Sequence, residues 1–239
     1  MPHNPPDFRC RAQLTELMDE PCGRDVLRGC LRDIGKVNRW FLGYRPLFAW
    51  LNSMRSAMRG TIRILDAGCG DGDCVRRIAR WARSRGIAVE LIGLDINPDA
   101  IAIAAEAEAP RSNIEWVAAN IFDYTPSKPV DLVVSCLFAH HLTDEEIVRF
   151  LAWMEDHSAL GWFINDLTRA AVPYHLFRVF TKFAGLHPFV QHDGPVSIAR
   201  AFRPQDWERY CGAAGLRNGQ ASICGYTPAR LCVARSKAR

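Results

Sequence analysis

The stretch Ile62-Arg63-Ile64-Leu65-Asp66-Ala67-Gly68-Cys69-Gly70-Asp71-Gly72 decides how this chain folds. An apolar run at Ile62, Ile64 and Leu65 ends in Asp66. Three glycines then alternate with small or polar residues, and a helical pattern opens at Asp73. Strand, glycine turn, helix is how a doubly wound α/β sheet presents a nucleotide site. Glycine takes backbone angles closed to other residues, and its missing side chain lets a ligand touch the main chain. The dinucleotide pattern G-x-G-x-x-G is not met, because Gly72 comes one position early and position 73 is Asp. Asp66, Asp71 and Asp73 around the turn would repel a pyrophosphate. They favour a ligand that carries positive charge and no phosphate.

The pattern D-x-G-x-G-x-G closely resembles motif I of class I methyltransferases that use S-adenosylmethionine (SAM), a ligand with an ammonium and a sulfonium group. The resemblance implies SAM as cofactor, held by Asp66, Gly68 and Gly70. Ala88 to Asp95 is a mostly apolar run typical of a strand buried on both faces. It ends about twenty residues past the turn, where an acidic residue can accept hydrogen bonds from both ribose hydroxyls. Asp95, followed by Ile96, takes that place. Asn113 to Ala118 is the third strand, and the loop Ala119-Asn120-Ile121-Phe122-Asp123 follows. In the family this loop carries an acidic residue against the adenine amine. Here Asn120, beside Ile121, holds the position, with Asp123 the other candidate. Ser135, near the end of the fourth strand, completes the expected cofactor set.

The chain has 239 residues, 49% hydrophobic and 23% charged, which suits one core-forming domain with appendages. The net charge of +4 is carried by residues 1–60, where ten Lys/Arg face six Asp/Glu; the remainder balances. No basic stripe with interleaved aromatics appears, so no nucleic-acid partner is expected. No apolar run reaches membrane-span length. The nine cysteines include no C-x-x-C pair and read as reduced thiols of a cytoplasmic protein. Cys69 and Cys136 occupy positions that favour small residues and are read as packing. No metal is expected, since Asp166 with Asn165 and Asp193 is thin material for a carboxylate cluster. The oligomeric state is left open.

Residues 1–60 read as an N-terminal helical segment, with Pro-rich residues 1–9 and a helical period from Arg24 to Phe41. Its aromatics, from Trp40 to Phe48, serve either as packing or as a lid. Residues 61–239 form the SAM-binding domain. The expected fold is α/β: a Rossmann-like, doubly wound, seven-stranded sheet with an antiparallel terminal hairpin, N-terminal helices and a helical insertion after the fifth strand. Val130 to Cys136 and Ala159 to Asn165 are its fourth and fifth strands. The last two strands are expected at about Leu216–Ile223 and Ala229–Arg235. Asn97-Pro98 opens a helix reaching about Ala109, and Thr143 with Glu146 forms a capping box. The aromatic- and His-rich insertion, residues 168–200, is expected to cover an acceptor.

His140 and His141 follow the fourth strand and Asp166 ends the fifth, so a histidine and this carboxylate meet on the ligand side of the sheet. A phenol has a reference pKa near 10, and a positioned base aids its methylation. His140, His141 and Asp166 are therefore the candidate catalytic residues. Tyr174, His175, His192 and Arg200 are candidates for holding the acceptor. Asn165-Asp166-Leu167, His192-Asp193-Gly194-Pro195-Val196-Ser197 and Arg200-Ala201-Phe202 look like a group of bacterial small-molecule methyltransferases. That group is related to quinone-pathway enzymes and often associated with type III polyketide synthases. The resemblance implies O-methylation of a small aromatic acceptor, phenolic or polyketide-derived. The alternatives are C- or N-methylation of a quinone-like or other small molecule, and a SAM-binding protein without catalysis. Ser135-Cys136-Leu137-Phe138 is not the N/D-P-P-Y/F type of motif that RNA or protein methylation would want.

Overall fold

The computed structural model describes residues 6–108, 113–217 and 219–237. An N-terminal strap passes through a 3-10 turn (Leu17–Asp19) into α1 (Arg24–Trp40) and α2 (Arg45–Met54). There follow β1 (Ile62–Ala67), α3 (Asp73–Arg83), β2 (Val89–Asp95), α4 (Pro98–Glu106), β3 (Ile114–Ala118) and β4 (Val130–Cys136). The chain continues with α5 (Asp144–His157), β5 (Ser158–Leu167), α6 (Ala171–Phe183), α7 (Pro188–Arg200), α8 (Pro204–Ala213), β6 (Ser222–Tyr226) and β7 (Arg230–Ser236). Ala109, the expected end of the fourth helix, lies outside the described residues.

The strands form one sheet in the order β3-β2-β1-β4-β5-β7-β6. The pairs among β1 to β5 are parallel, and β7 lies antiparallel between β5 and β6. The order reverses between β1 and β4, which opens a crevice at their carboxyl ends. This is the doubly wound sheet with a terminal hairpin that the sequence implied. The largest boundary difference is in β6, which runs Ser222–Tyr226 and so starts at Ser222, not at Leu216. The Leu216 N–H bonds the Cys211 carbonyl and its side chain is buried, so it finishes α8 instead of opening a strand.

Local chemistry places the elements. The Asn97 side chain accepts hydrogen bonds from the Asp99 and Ala100 N–H groups, and Thr143 and Glu146 close their capping box. Gly68, Gly70 and Gly72 take φ of +74°, +54° and +76°, so the turn after β1 uses the backbone freedom its glycines supply. Two apolar layers then cover the sheet. One packs α5 and α8 through Phe150, Trp153, Trp207 and Tyr210. The other packs α2 and α3 through Leu47, Trp50, Leu51 and Trp81, with Trp50 stacked on Phe163 at 5.1 Å. Thus α2 is a packing helix. By contrast, α1 sets Leu27 against Ala100 and Ile103 and leaves Leu31, Ile34 and, just past its end, Phe41 bordering the crevice.

Trp116 of β3 lies across β2 where only a glycine leaves room. A Cβ on Gly93 would stand 2.4 Å from the Trp116 ring and 3.1 Å from Cys69 Sγ. Gly93→Ala is therefore expected to destabilise the protein by about 1–3 kcal/mol, the usual cost of overpacking. Trp116→Leu in the same chain should recover part of that loss. Urea unfolding of both variants checks this, and a Gly93→Ala midpoint equal to wild type would refute it.

Candidate active site

A cavity of about 1180 Å³ opens at the carboxyl ends of β1, β2, β4 and β5. Its floor is the turn after β1. Asp66, Gly68, Gly70, Asp95 and Ile96 all border it, as do His140 and His141. The expected cofactor residues at the strand tips and the expected histidines therefore share one chamber.

Asp66 is the most exposed to electrostatic cost. Asp66 is 2% exposed, and only the weakly donating Cys74 thiol reaches its carboxylate; no nitrogen or hydroxyl donor does. Burial pushes the carboxyl up to about 7, against a pull from the Cys74 thiol and with a push from the Asp95 charge. Asp95 is also raised by burial, although its oxygens accept from the Asn97 N–H at 2.9 Å and the Gly70 N–H at 2.8 Å. Each carboxylate oxygen retains a further lone pair. Two carboxylates short of partners beside a glycine turn suit a cationic ligand with hydroxyl groups. Ile96, 67% exposed, offers an apolar edge next to them. At Gly68 a Cβ would meet the Phe138 ring at 2.5 Å, so this glycine seats an aromatic wall as well as making the turn.

The other expected cofactor residues lie behind the wall. Asn120 uses its side-chain oxygen to accept from the Phe122 N–H. Ile121 is buried in the core, and Ser135 is fully buried with its hydroxyl donating to the Ala67 carbonyl. None of the three borders the cavity.

His140 sits in a short helical turn after β4 and is 3% exposed. Its Nδ1 is 2.8 Å from Asp166 Oδ1, and its backbone N–H donates to Asp166 Oδ2 at 3.2 Å. Burial pushes the Asp166 carboxyl up, but the His140 charge and hydrogen bond outweigh it and hold the group below the usual carboxylate range. The His141 ring lies 4.3 Å from that of His140, tilted by 36°, and is hydrogen-bonded through Nδ1 to Asp19 Oδ1 at 2.9 Å. Glu16, buried in the strap, faces both rings: its oxygens lie 3.7 Å from His140 Nε2 and 3.9 Å from His141 Nε2. Burial raises the Glu16 carboxyl above its ordinary value.

The expected acceptor residues are placed differently from one another. Tyr174 packs with Phe8 and Ile198, and His175 meets Phe8 and Tyr174 edge-on. His192 is bonded to the Asp193 carboxylate. Arg200 donates to the His140 and His141 carbonyls at 3.2 Å and to Asp19 at 2.6 Å. None of these four borders the cavity. Their insertion does line it, through Leu176, Phe177 and Phe180. Phe180 meets Phe41, the residue just after α1, edge-on at 5.1 Å.

Three bordering residues escaped the sequence reading. Glu16 and Asp19 arrive from the strap, and Arg230 from the start of β7. Arg230 is 6% exposed and donates to Asn38, yet its Nη1 has no hydrogen-bond partner.

Comparison with known proteins agrees with this geometry. Residues 64–160 match the family model described as "Methyltransferase domain". That match covers about two fifths of the chain, from β1 into β5. The chain is similar to a trans-aconitate 2-methyltransferase of Streptomyces avermitilis, 36% identical over 95 residues, 38% of this chain. The match spans only 34% of that relative's length. The fold is shared with the plantazolicin methyltransferase in complex with S-adenosylhomocysteine, with TM-score 0.58 and 13% identity over 90% of this chain and 84% of the other. It is also shared with the magnesium protoporphyrin IX methyltransferase of Synechocystis with bound SAM, with TM-score 0.54 and 12% identity over 92% and 86%. No described helix of the chain is long and apolar enough to cross a membrane.

The buried Asp66 gives a test with a definite sign. Its carboxyl rises from near 4 in the unfolded chain to about 7 in the fold. The cofactor-free protein therefore loses stability as pH rises from about 4 through about 7. Asp66→Asn is expected to raise the melting temperature of the cofactor-free protein at pH 8, with little gain near pH 4. The same variant should weaken SAM binding. Melting curves at both pH values and calorimetric titration with SAM check the pair; a variant that melts lower at pH 8 would refute the cost assigned to Asp66.

Proposed function

We propose that this chain transfers the methyl group of SAM to an oxygen of a phenolic, polyketide-derived small molecule. One observation carries the reading: a single cavity joins the acidic glycine turn to an aromatic chamber, and the two histidines border it. SAM, when bound, supplies a methyl group already activated on a sulfonium. The protein's own task is then alignment, exclusion of water and handling of the acceptor proton. In this reading Asp66 meets the cofactor's positive charge, Asp95 its ribose hydroxyls and Ile96 its adenine edge. Asn120, Ile121 and Ser135 support those contacts from behind.

Phe41, Phe177 and Phe180 give the acceptor an apolar wall, while α1 and α6 keep water from it. Both Nδ1 atoms are tied to carboxylates, so the Nε2 atoms of His140 and His141 are the basic atoms nearest the chamber. Asp166 orients the His140 ring through its bond to Nδ1. Tyr174, His175, His192 and Arg200 act in this scheme as positioning residues that hold the insertion and the histidine turn.

A second reading has its own support. The unpartnered Nη1 of Arg230 would suit an acceptor carboxylate, and a similar protein is named a trans-aconitate 2-methyltransferase. Methyl esters are cleaved by mild alkali and aryl methyl ethers are not, so incubation with methyl-labelled SAM and a panel of phenols and aromatic acids separates the two.

For the phenolic reading, replacing the catalytic histidine by Ala should lower kcat/KM by about 10²-fold or more with SAM affinity retained. Asp166→Asn should lower it less. The loss should shrink for acceptors already ionised at assay pH. Wild-type rates in both His140→Ala and His141→Ala on a phenol of pKa near 10 would remove the base from the mechanism.

A further inference from the structure

The two histidines present the same atom to the same place. His140 Nδ1 is 2.8 Å from Asp166 Oδ1 and His141 Nδ1 is 2.9 Å from Asp19 Oδ1. A carboxylate only accepts, so each Nδ1 carries the ring proton, and the lone pair of each neutral ring lies on Nε2. Those lone pairs face the two oxygens of Glu16 at 3.7 and 3.9 Å. Acceptors thus confront acceptors, at distances too long for a hydrogen bond. Ser197 donates to Glu16 Oε1 at 2.9 Å, and Arg200 stands 3.7 Å from the same oxygen while giving its short bond to Asp19. One ligand atom from each of Glu16, His140 and His141 falls within 4.8 Å of the others. All three residues border the cavity.

We propose that Glu16, His140 and His141 bind a divalent transition-metal ion, with zinc the best match to two imidazoles and one carboxylate. An all-oxygen site of the magnesium or calcium type is excluded by the two nitrogen ligands. Zinc bonds of about 2.0–2.2 Å put tetrahedral ligands roughly 3.3–3.6 Å apart, so the two Glu16–His pairs need to close by a few tenths of an ångström and the His–His pair by at most about 1.5 Å. Three protein ligands and an open fourth position are the pattern of a catalytic rather than a structural zinc. The second shell is complete. Each ligating imidazole donates its other N–H to a carboxylate, the arrangement that fixes ring orientation at metal sites. Only the use of the ion rests on the methyltransferase reading: with both Nε2 lone pairs on the ion, the histidines would no longer serve as base, and the open position would take an acceptor oxygen and ease loss of its proton to solvent.

The test uses the full chain, stripped with a chelator and titrated with CoCl₂ and ZnCl₂ by calorimetry and absorption. One equivalent is expected to bind, and cobalt should show visible d–d bands without a thiolate charge-transfer band in the near ultraviolet. Glu16→Gln, which keeps the side chain's shape, and His141→Ala, at a partly exposed position, should each lose stoichiometric binding. If either fails to fold, Asp19→Asn replaces it and should weaken binding by about 10–100-fold. Failure to bind one equivalent overturns the site. So does binding that survives these substitutions or shows the thiolate band, which would assign it to the free cysteines. SAM affinity is measured on the same stripped protein. SAM binding without metal binding overturns the metal site and leaves the methyltransferase reading standing. Metal binding without SAM binding supports the site and overturns that reading.

Discussion

The site depends on one buried carboxylate. Asp166 has no exposed surface and accepts three hydrogen bonds: from the His140 N–H, from His140 Nδ1 and, at 2.7 Å, from the Leu167 N–H. A buried charge is tolerable only when paired in this way. Through these bonds the end of β5 grips the turn after β4. That turn carries a strained residue, Leu137 at φ +58°, whose N–H reaches the Asn165 carbonyl at 3.0 Å. A left-handed leucine costs on the order of 1–2 kcal/mol, and the Asp166 contacts are what hold it in place. The turn in turn holds the strap. The carbonyl of His140 accepts from Arg11 as well as from Arg200, and Asp193 accepts from the Leu17 and Met18 N–H groups. One side chain at a strand end therefore fixes the histidine pair and, through it, the segment that brings Glu16 and Asp19.

The cofactor floor follows the opposite logic. Asp66 is buried with no partner but the Cys74 thiol, so its cost stands until a cation arrives. The glycine turn itself is braced from the core. Phe138 fills the space over Gly68 and packs edge-on against Phe150 at 5.4 Å. The floor is thus rigid and electrostatically unsatisfied at once, which is the condition for a preorganised cation site. In the proposed reading, affinity for a cationic cofactor and instability of the empty protein are two faces of the same carboxylate.

How legible this was in the sequence differed by element, for physical reasons. Strand tips were legible because topology alone gathers them: once β1, β2, β4 and β5 are parallel neighbours, Asp66, Asp95 and the His140–His141 pair must share an end of the sheet. Helix starts were legible because Asn97 and the Thr143–Glu146 box act within one turn. Faces of the insertion were not. In α6, Phe177 lines the cavity and Tyr174 packs behind it, while Phe183 is 87% exposed. Aromatic density therefore located a segment that lines the cavity without choosing its inner side. Glu16 and Asp19 lie in a strap with no period to read, and Arg230 is a single basic residue at a strand start. Their roles depend on contacts distant in sequence that no local pattern encodes.

The charge around the cavity narrows what the proposed acceptor can be. Among the described residues bordering it, Arg230 is the one permanent cation, whereas Glu16, Asp19, Asp66, Asp71, Asp73, Asp95 and Asp193 contribute carboxyl groups. Asp19 is answered by Arg200, and Asp71 and Asp73 by Arg76 and Arg77. Asp66 has no such answer. A polyanionic acceptor would meet one guanidinium and several carboxylates in a chamber where poor screening magnifies each term. A molecule with a single ionisable oxygen meets a milder field: its aromatic body lies against Phe41, Phe177 and Phe180, and its one developing charge can be shared by Arg230 and the histidine pair. The field therefore favours the singly ionised phenol over a tricarboxylate. That preference is set by the same unpaired acids that make the floor fit a sulfonium.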